Sequence, residues 1–286
     1  MRRPWRGADP AEAVDPAPGT PAPDGPPDEH VPPSVGDALV RFVGAGDGPG
    51  DGTAEGSAEG TGSRTDQVRH LVTAVARGAR GAGAKALAGG RWLTDTLVDV
   101  VPRLPVRPGE RLREHHPGRT TDEIAAALVS AAVKASTAVG VAGGALAAVE
   151  FAAPPTLLAA PAQLAAETLA VAVIEIKLVA ELHELYGVRA TGSMADRGTA
   201  YLMAWTSQKG IDPLNPKSVV AGLGAAAKRQ VRRRLVGRFT RNVTTLGPLL
   251  TGAVLGGAMN RHETRELGHK ICADLRVATA GRRARP

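Results

Sequence analysis

From Thr65 onward, apolar residues return every three or four positions, and no stretch alternates long enough to predict a strand. The run "TDQVRHLVTAVARGARGAGAKALAG" has helical spacing, although Gly78, Gly81 and Gly83 each weaken its middle by about 1 kcal/mol. A short helix, "RWLTDTLVDVVPRL", should end at Pro102 and Pro105, and "PVRPGERLREHHPGR" reads as a linker. At Thr120 the sequence "TTDE" forms a capping box that opens a long apolar helix to about Glu150. Pro154-Pro155 stop it. A second long helix should start near Thr156 or Pro161 and reach Tyr186, with Gly187 as its stop. Helices follow at about 195–209, 216–241 (opened by Asn215-Pro216) and 248–278. The fold expected is all-α, a compact Ala/Gly-rich bundle of about seven helices.

The apolar middle, "STAVGVAGGALAAVEFAAPPTLLAAP", raises the question of a membrane. A span needs about 20 mostly apolar residues. Ala135–Val149 and Phe151–Ala166 are shorter than that, are split by Glu150, and the second contains three prolines. Asn242–Asn260 is uncharged but holds Thr, Asn and Gly. Two of these segments carry GxxxG, at Gly140/Gly144 and Gly252/Gly256, a spacing that lets another helix backbone approach closely. The reading is a tightly packed helical core. Shallow insertion into lipid is the second reading, and a pair of true spans the third.

Composition divides the chain. Residues 1–63 hold 11 of the 22 prolines and carry 4 Arg against 11 acids; the remainder carries 31 cations against 17 acids. An acidic arm with too few large apolar groups to fold is expected over 1–63, a helical segment and linker over 64–118, the core domain over 119–279, and a basic tail over 280–286. Inside the arm, "SVGDALVRFVG" is an apolar island that reads as a chance cluster in a tail, with docking onto a partner or onto the body as the alternative. The N-terminus lacks the apolar stretch of an ordinary secretory signal, and the single cysteine, Cys272, suits a reducing compartment.

The charge concentrates in "KRQVRRRLVGRFTR". Lys228, Arg229, Arg232, Arg233, Arg234, Arg238 and Arg241 make seven cations in fourteen residues, flanking a stripe of Val231, Leu235 and Phe239. A solvated face is the plain reading. An anionic leaflet attracts each such cation by about 1 kcal/mol, and nucleic-acid phosphate would attract them similarly. Aromatics for base stacking are absent here apart from Phe239, which favours lipid over nucleic acid.

Candidate chemistry is thin. "GARGAGAK" lacks the Gly-Lys-Ser/Thr ending of a phosphate loop, and no GxSxG or HExxH occurs. His262, Glu266 and His269 fall on one helical face, so a bound metal is the third functional alternative; a polar outer face is the plain reading. Glu175 and Lys177, inside an apolar helix, should lie at its edge or be paired, and His183 should lie at a surface or interface. No catalytic residue and no cofactor is assigned.

Four pieces in order resemble the EcsC family: "AVGVAGGALAAVEFAAPPTLLAAPAQLAAETLAV", "IEIKLVAELHELYGV", "AYLMAWTSQKGIDP" and "TTLGPLLTGAVLGGAMNRHETRELGHKICADLR". The resemblance covers about Thr120–Arg276. It implies a bacterial helical protein at the cytoplasmic face of the cell membrane, with no established enzyme activity and linked to an ABC transporter and secretion. Glu150 and the three prolines depart from a hairpin that would insert fully.

Overall fold

The structure is a computed structural model that describes residues 34–45, 66–68, 70, 71, 73–75, 77, 78, 91–152, 160–210 and 247–283. All of them belong to the unit Pro33–Pro286. Among the described residues the chain is all-α, with seven α-helices described from end to end, a single 3-10 turn and no strand. The α-helices are α1 (Val35–Gly44), α2 (Arg91–Val100), α3 (Gly109–Glu114), α4 (Thr121–Ala152), α5 (Ala160–Leu185), α6 (Met194–Gln208) and α7 (Gly247–Arg283). The described residues between 66 and 78 are helical too.

Helix α5 is the axis of the body: each of the other six helices touches it. That position explains its composition. Leu169, Val173, Ile176, Val179, Leu182 and Leu185 point in several directions and all are buried, as expected of a helix apolar on every side. Its ends are set by local chemistry. Gly187 has φ 69°, and the Val188 and Gly187 amides donate to the carbonyls of His183 and Glu184, the Schellman closure. Arg113 reaches over from α3 and donates to the Leu185 carbonyl at 2.7 Å.

Helix α4 starts as a capping box: the Glu123 amide donates to Thr120 Oγ1, and Glu123 accepts from the Thr120 amide at 2.7 Å. Ser193 and Asp196 cap α6 the same way. Helices α4 and α5 are antiparallel, since Gly143 lies on Glu167 while Asp122 meets Tyr186. Helix α7 also runs antiparallel to α4, with Gly256 on Gly140, Gly268 on Val129 and Arg276 on Asp122.

Two expectations are corrected. The island at 35–44 is not a chance cluster in a tail: it forms α1, capped by Ser34, with Leu39 and Val43 buried against the body and Arg103 paired to Asp37 at 3.0 Å. Its apolar residues recur at 35, 39, 42 and 43, which gives a short helix one face to bury. The rest of the segment 1–63, with the disorder expected of it, lies outside the described residues. The linker at 105–119 is likewise not a plain connection. It contains α3 with Leu112 buried, and Arg107 grips Glu181 of α5.

Candidate functional site

Three features of the body bring side chains together: a glycine contact, a buried ionic network, and a groove. The first lies between α4 and α7. A Cβ placed on Gly140 would stand 2.5 Å from the Gly256 carbonyl oxygen, and one placed on Gly256 would stand 2.5 Å from that of Gly140. Backbone thus meets backbone at Gly140 and Gly256. Beside them Asn260 Nδ2 donates to the Ser136 carbonyl at 3.1 Å, satisfying a helix carbonyl across the interface. The surroundings of Gly144 and Gly252 lie outside the described residues.

The second feature follows from the central place of α5. Four of its carboxylates (Glu167, Glu175, Glu181 and Glu184) are buried, and a buried charge needs a partner. Glu175 is 1% exposed and joins three helices: Trp205 Nε1 donates to it at 2.9 Å, Lys209 Nζ lies at 2.9 Å, and Thr264 Oγ1 donates at 3.2 Å. Glu181 accepts from Lys177 Nζ at 2.5 Å and, two-pronged, from Arg107 Nε and Nη2 at 2.8 Å each. Burial pushes the Glu181 carboxyl up, but Arg107 and Lys177 outweigh it and hold the group below the usual carboxylate range. Glu184 accepts from the Tyr201 hydroxyl at 3.2 Å and pairs with Arg189 at 2.7 Å. Glu175 and Lys177 were expected at the helix edge or paired. Both are paired, and neither is at an edge.

His183 is half-buried, and its Nδ1 lies 2.7 Å from the Val179 carbonyl. Burial lowers its pKa, more than the hydrogen bond and Glu184 raise it. The unfolded chain therefore takes up this proton at a higher pH than the folded one. Stability from this group is complete above about pH 6.5 and drains as the pH falls below it. Urea unfolding between about pH 7.5 and pH 5 should show that decline, and His183→Gln should flatten it. An identical slope in both proteins would contradict the assignment. Loss from Glu181, whose folded pKa is depressed, belongs to a lower window, below about pH 4.5.

The third feature is a groove of about 520 Å³ between α4 and α7. Its floor is Ala125, Val129 and Val133, and α7 contributes Arg265, His269, Cys272 and Arg276, spaced i, i+4, i+7, i+11 along one face. At its end Asp122 accepts from the Tyr186 hydroxyl at 2.7 Å and from Arg276 Nε at 2.9 Å. These two bonds hold the Asp122 carboxyl below its ordinary range. Burial pushes the Cys272 thiol up, so it is kept protonated.

Of the residues singled out in the sequence, the structure brings Gly140 and Gly256 together. The metal trio is only partly brought together: His262 Nε2 lies 3.7 Å from Glu266, which also pairs with Lys270 at 2.8 Å, whereas His269 lines the groove and the other two do not. Among the described residues no group of three metal-ligating side chains converges. Lys228, Arg229, Arg232, Arg233, Arg234, Arg238 and Arg241 lie outside the described residues. Residues missed in the sequence are Trp205, Lys209 and Arg107, which grip α5, and Asp122, Tyr186, Arg265 and Arg276 at the groove. Of these only Arg265 and Arg276 left a signal, their place on one face of α7. Comparisons with protein-family models, curated proteins and solved structures returned no match for this chain.

Proposed function

We propose that the protein is a non-catalytic helical scaffold, peripheral to the cytoplasmic face of a bacterial membrane, which binds anionic lipid through one end of its bundle. One observation carries this reading: the bundle's two ends differ in charge. The antiparallel order of α4, α5 and α7 gathers "GGALAAVEFA" (143–152), "APAQLAA" (160–166) and "GPLLTGAVLGG" (247–257) at one end, with Glu150 their sole charge. The opposite end carries Asp122, Glu123, Glu181, Glu184, Arg276 and Arg282. Five residues separate Arg241 from Gly247, so the near end of the basic run is tethered to the apolar end by a link of at most about 20 Å. Apolar surface beside clustered cations is the combination that anionic leaflets attract.

Thr121–Gly143 is long and apolar enough to cross a membrane, and 44% of that window is buried. Its pairing with α7 and α5 supports a packed core helix and peripheral contact over a span. The resemblance to the EcsC family adds an ABC transporter as the expected partner.

The test is sedimentation of the full chain with vesicles. Binding to phosphatidylglycerol vesicles at low salt should weaken as salt rises, because exposed charges are screened beyond about 10 Å at 0.1 M. Replacing Arg232, Arg233 and Arg234 by Gln should release it. Equal recovery in the supernatant with anionic and neutral vesicles would reject the reading, and retention on DNA instead would replace it with nucleic-acid binding.

A further inference from the structure

The groove between α4 and α7 combines features that the proposed scaffold role does not use. Its floor is aliphatic and buried: Ala125 is 1% exposed, Val129 6% and Val133 5%. Its rim on α7 is cationic. Arg265 is exposed and makes no ion pair with any described residue. Arg276 gives Asp122 its Nε, and its side chain stays 54% exposed. His269 is exposed between them. Asp122 is the one acid among the lining residues, and Arg276 offsets its charge. The α4 liners run from Asp122 to Val133, eleven steps or about 16 Å of helix, so the floor is long.

We propose that this groove is a binding site for a single-chain anionic amphiphile, whose phosphate or carboxylate head meets Arg265, His269 and Arg276 while its aliphatic tail lies along Ala125, Val129 and Val133. Guanidinium groups suit such heads because their N–H donors form paired bonds to two oxygens. The gain comes from the tail's own methylenes leaving water, each contributing about 0.8 kcal/mol where it is buried. Neither half of the ligand suffices alone. A bare anion would make no use of the apolar lining, and a neutral chain would leave the cations unused.

Cys272 lines the same groove and is the sole cysteine of the chain, so it reports on occupancy without a label being engineered. The experiment titrates full-length protein with decyl phosphate, decanoate, inorganic phosphate or decyltrimethylammonium, each below any micelle-forming concentration. The rate of Cys272 alkylation is followed alongside titration calorimetry, which reads binding independently of the thiol. Decyl phosphate and decanoate should slow alkylation and saturate; the other two probes should not. Arg265→Gln combined with His269→Gln should weaken the effect about tenfold, the loss expected for one charge-assisted bond. Both residues are exposed, so this variant should unfold as the parent does. Ala126→Leu, at an exposed lining position, should fill the groove and weaken both amphiphiles while the rim cations stay in place. Equal protection by inorganic phosphate would reduce the site to a plain anion site and overturn the proposal. Absence of protection and of heat with both amphiphiles, or binding indifferent to all three substitutions, would overturn it as well. A failure here leaves the vesicle result standing, because the groove lies toward the charged end of the bundle.

Discussion

Glu175→Ala should cost the protein about 3–5 kcal/mol of folding stability, the range for removing one partner of a buried ion pair. The substitution leaves Lys209 without its carboxylate and strands the Trp205 indole N–H and the Thr264 hydroxyl in a buried site. These three donors come from α6 and α7, so the loss loosens both helices from α5. Glu175→Gln should cost roughly half as much: the amide oxygen still accepts from Trp205, and Lys209, whose side chain is 23% exposed, can turn to water. Urea unfolding of the parent and the two variants measures the difference. A loss below about 1 kcal/mol for Glu175→Ala, the size of an ordinary surface change, would show that the network does not hold the bundle.

Gly256→Leu should have the second largest effect. Its Cβ alone would lie 2.5 Å from the Gly140 carbonyl oxygen, and that obstacle is helix backbone, which cannot swing aside as a side chain does. Helices α4 and α7 would have to separate, breaking the Asn260–Ser136 bond next to the contact. Overpacking a core costs about 1–3 kcal/mol, and a clash of backbone with backbone belongs at about 3. Gly281→Ala is the control. A Cβ there meets nothing within 4 Å, so the change should stabilise α7 by up to about 1 kcal/mol through helix propensity alone. Denaturant midpoints moving the same way in both variants would contradict the close packing of α4 on α7.

The long helices were legible because they are repetitive. Over a run such as Thr121–Ala152 the apolar period, the Thr120/Glu123 box and the following prolines all agree. Glycine at 187 could be read as a stop because only a left-handed residue closes the helix that way. Short elements were harder. Helices α1 and α3 have ten and six residues, too few for periodicity to stand out from a Pro/Gly-rich surrounding, and their burial depends on a surface supplied from elsewhere in the chain. The GxxxG spacing indicated a shallow helix surface, yet nothing in one segment says which other segment will occupy it. The buried carboxylates show the limit most clearly. Glu175 looked unsuited to an apolar helix because its partners, Trp205, Lys209 and Thr264, stand 30, 34 and 89 residues away. Pairing at that separation is a property of the fold, and spacing along the chain carries no trace of it.

The proposed contact between one end of the bundle and anionic lipid can be tested directly with a fluorophore at each end. In a Cys272→Ser background, Leu249→Cys places a polarity-sensitive label at the apolar end and Ala280→Cys places one at the charged end. With phosphatidylglycerol vesicles, the label at position 249 should shift to the blue and be quenched by lipid-borne quenchers, while the label at 280 stays as it is in water. Equal responses at the two positions, or none at 249, would contradict the account.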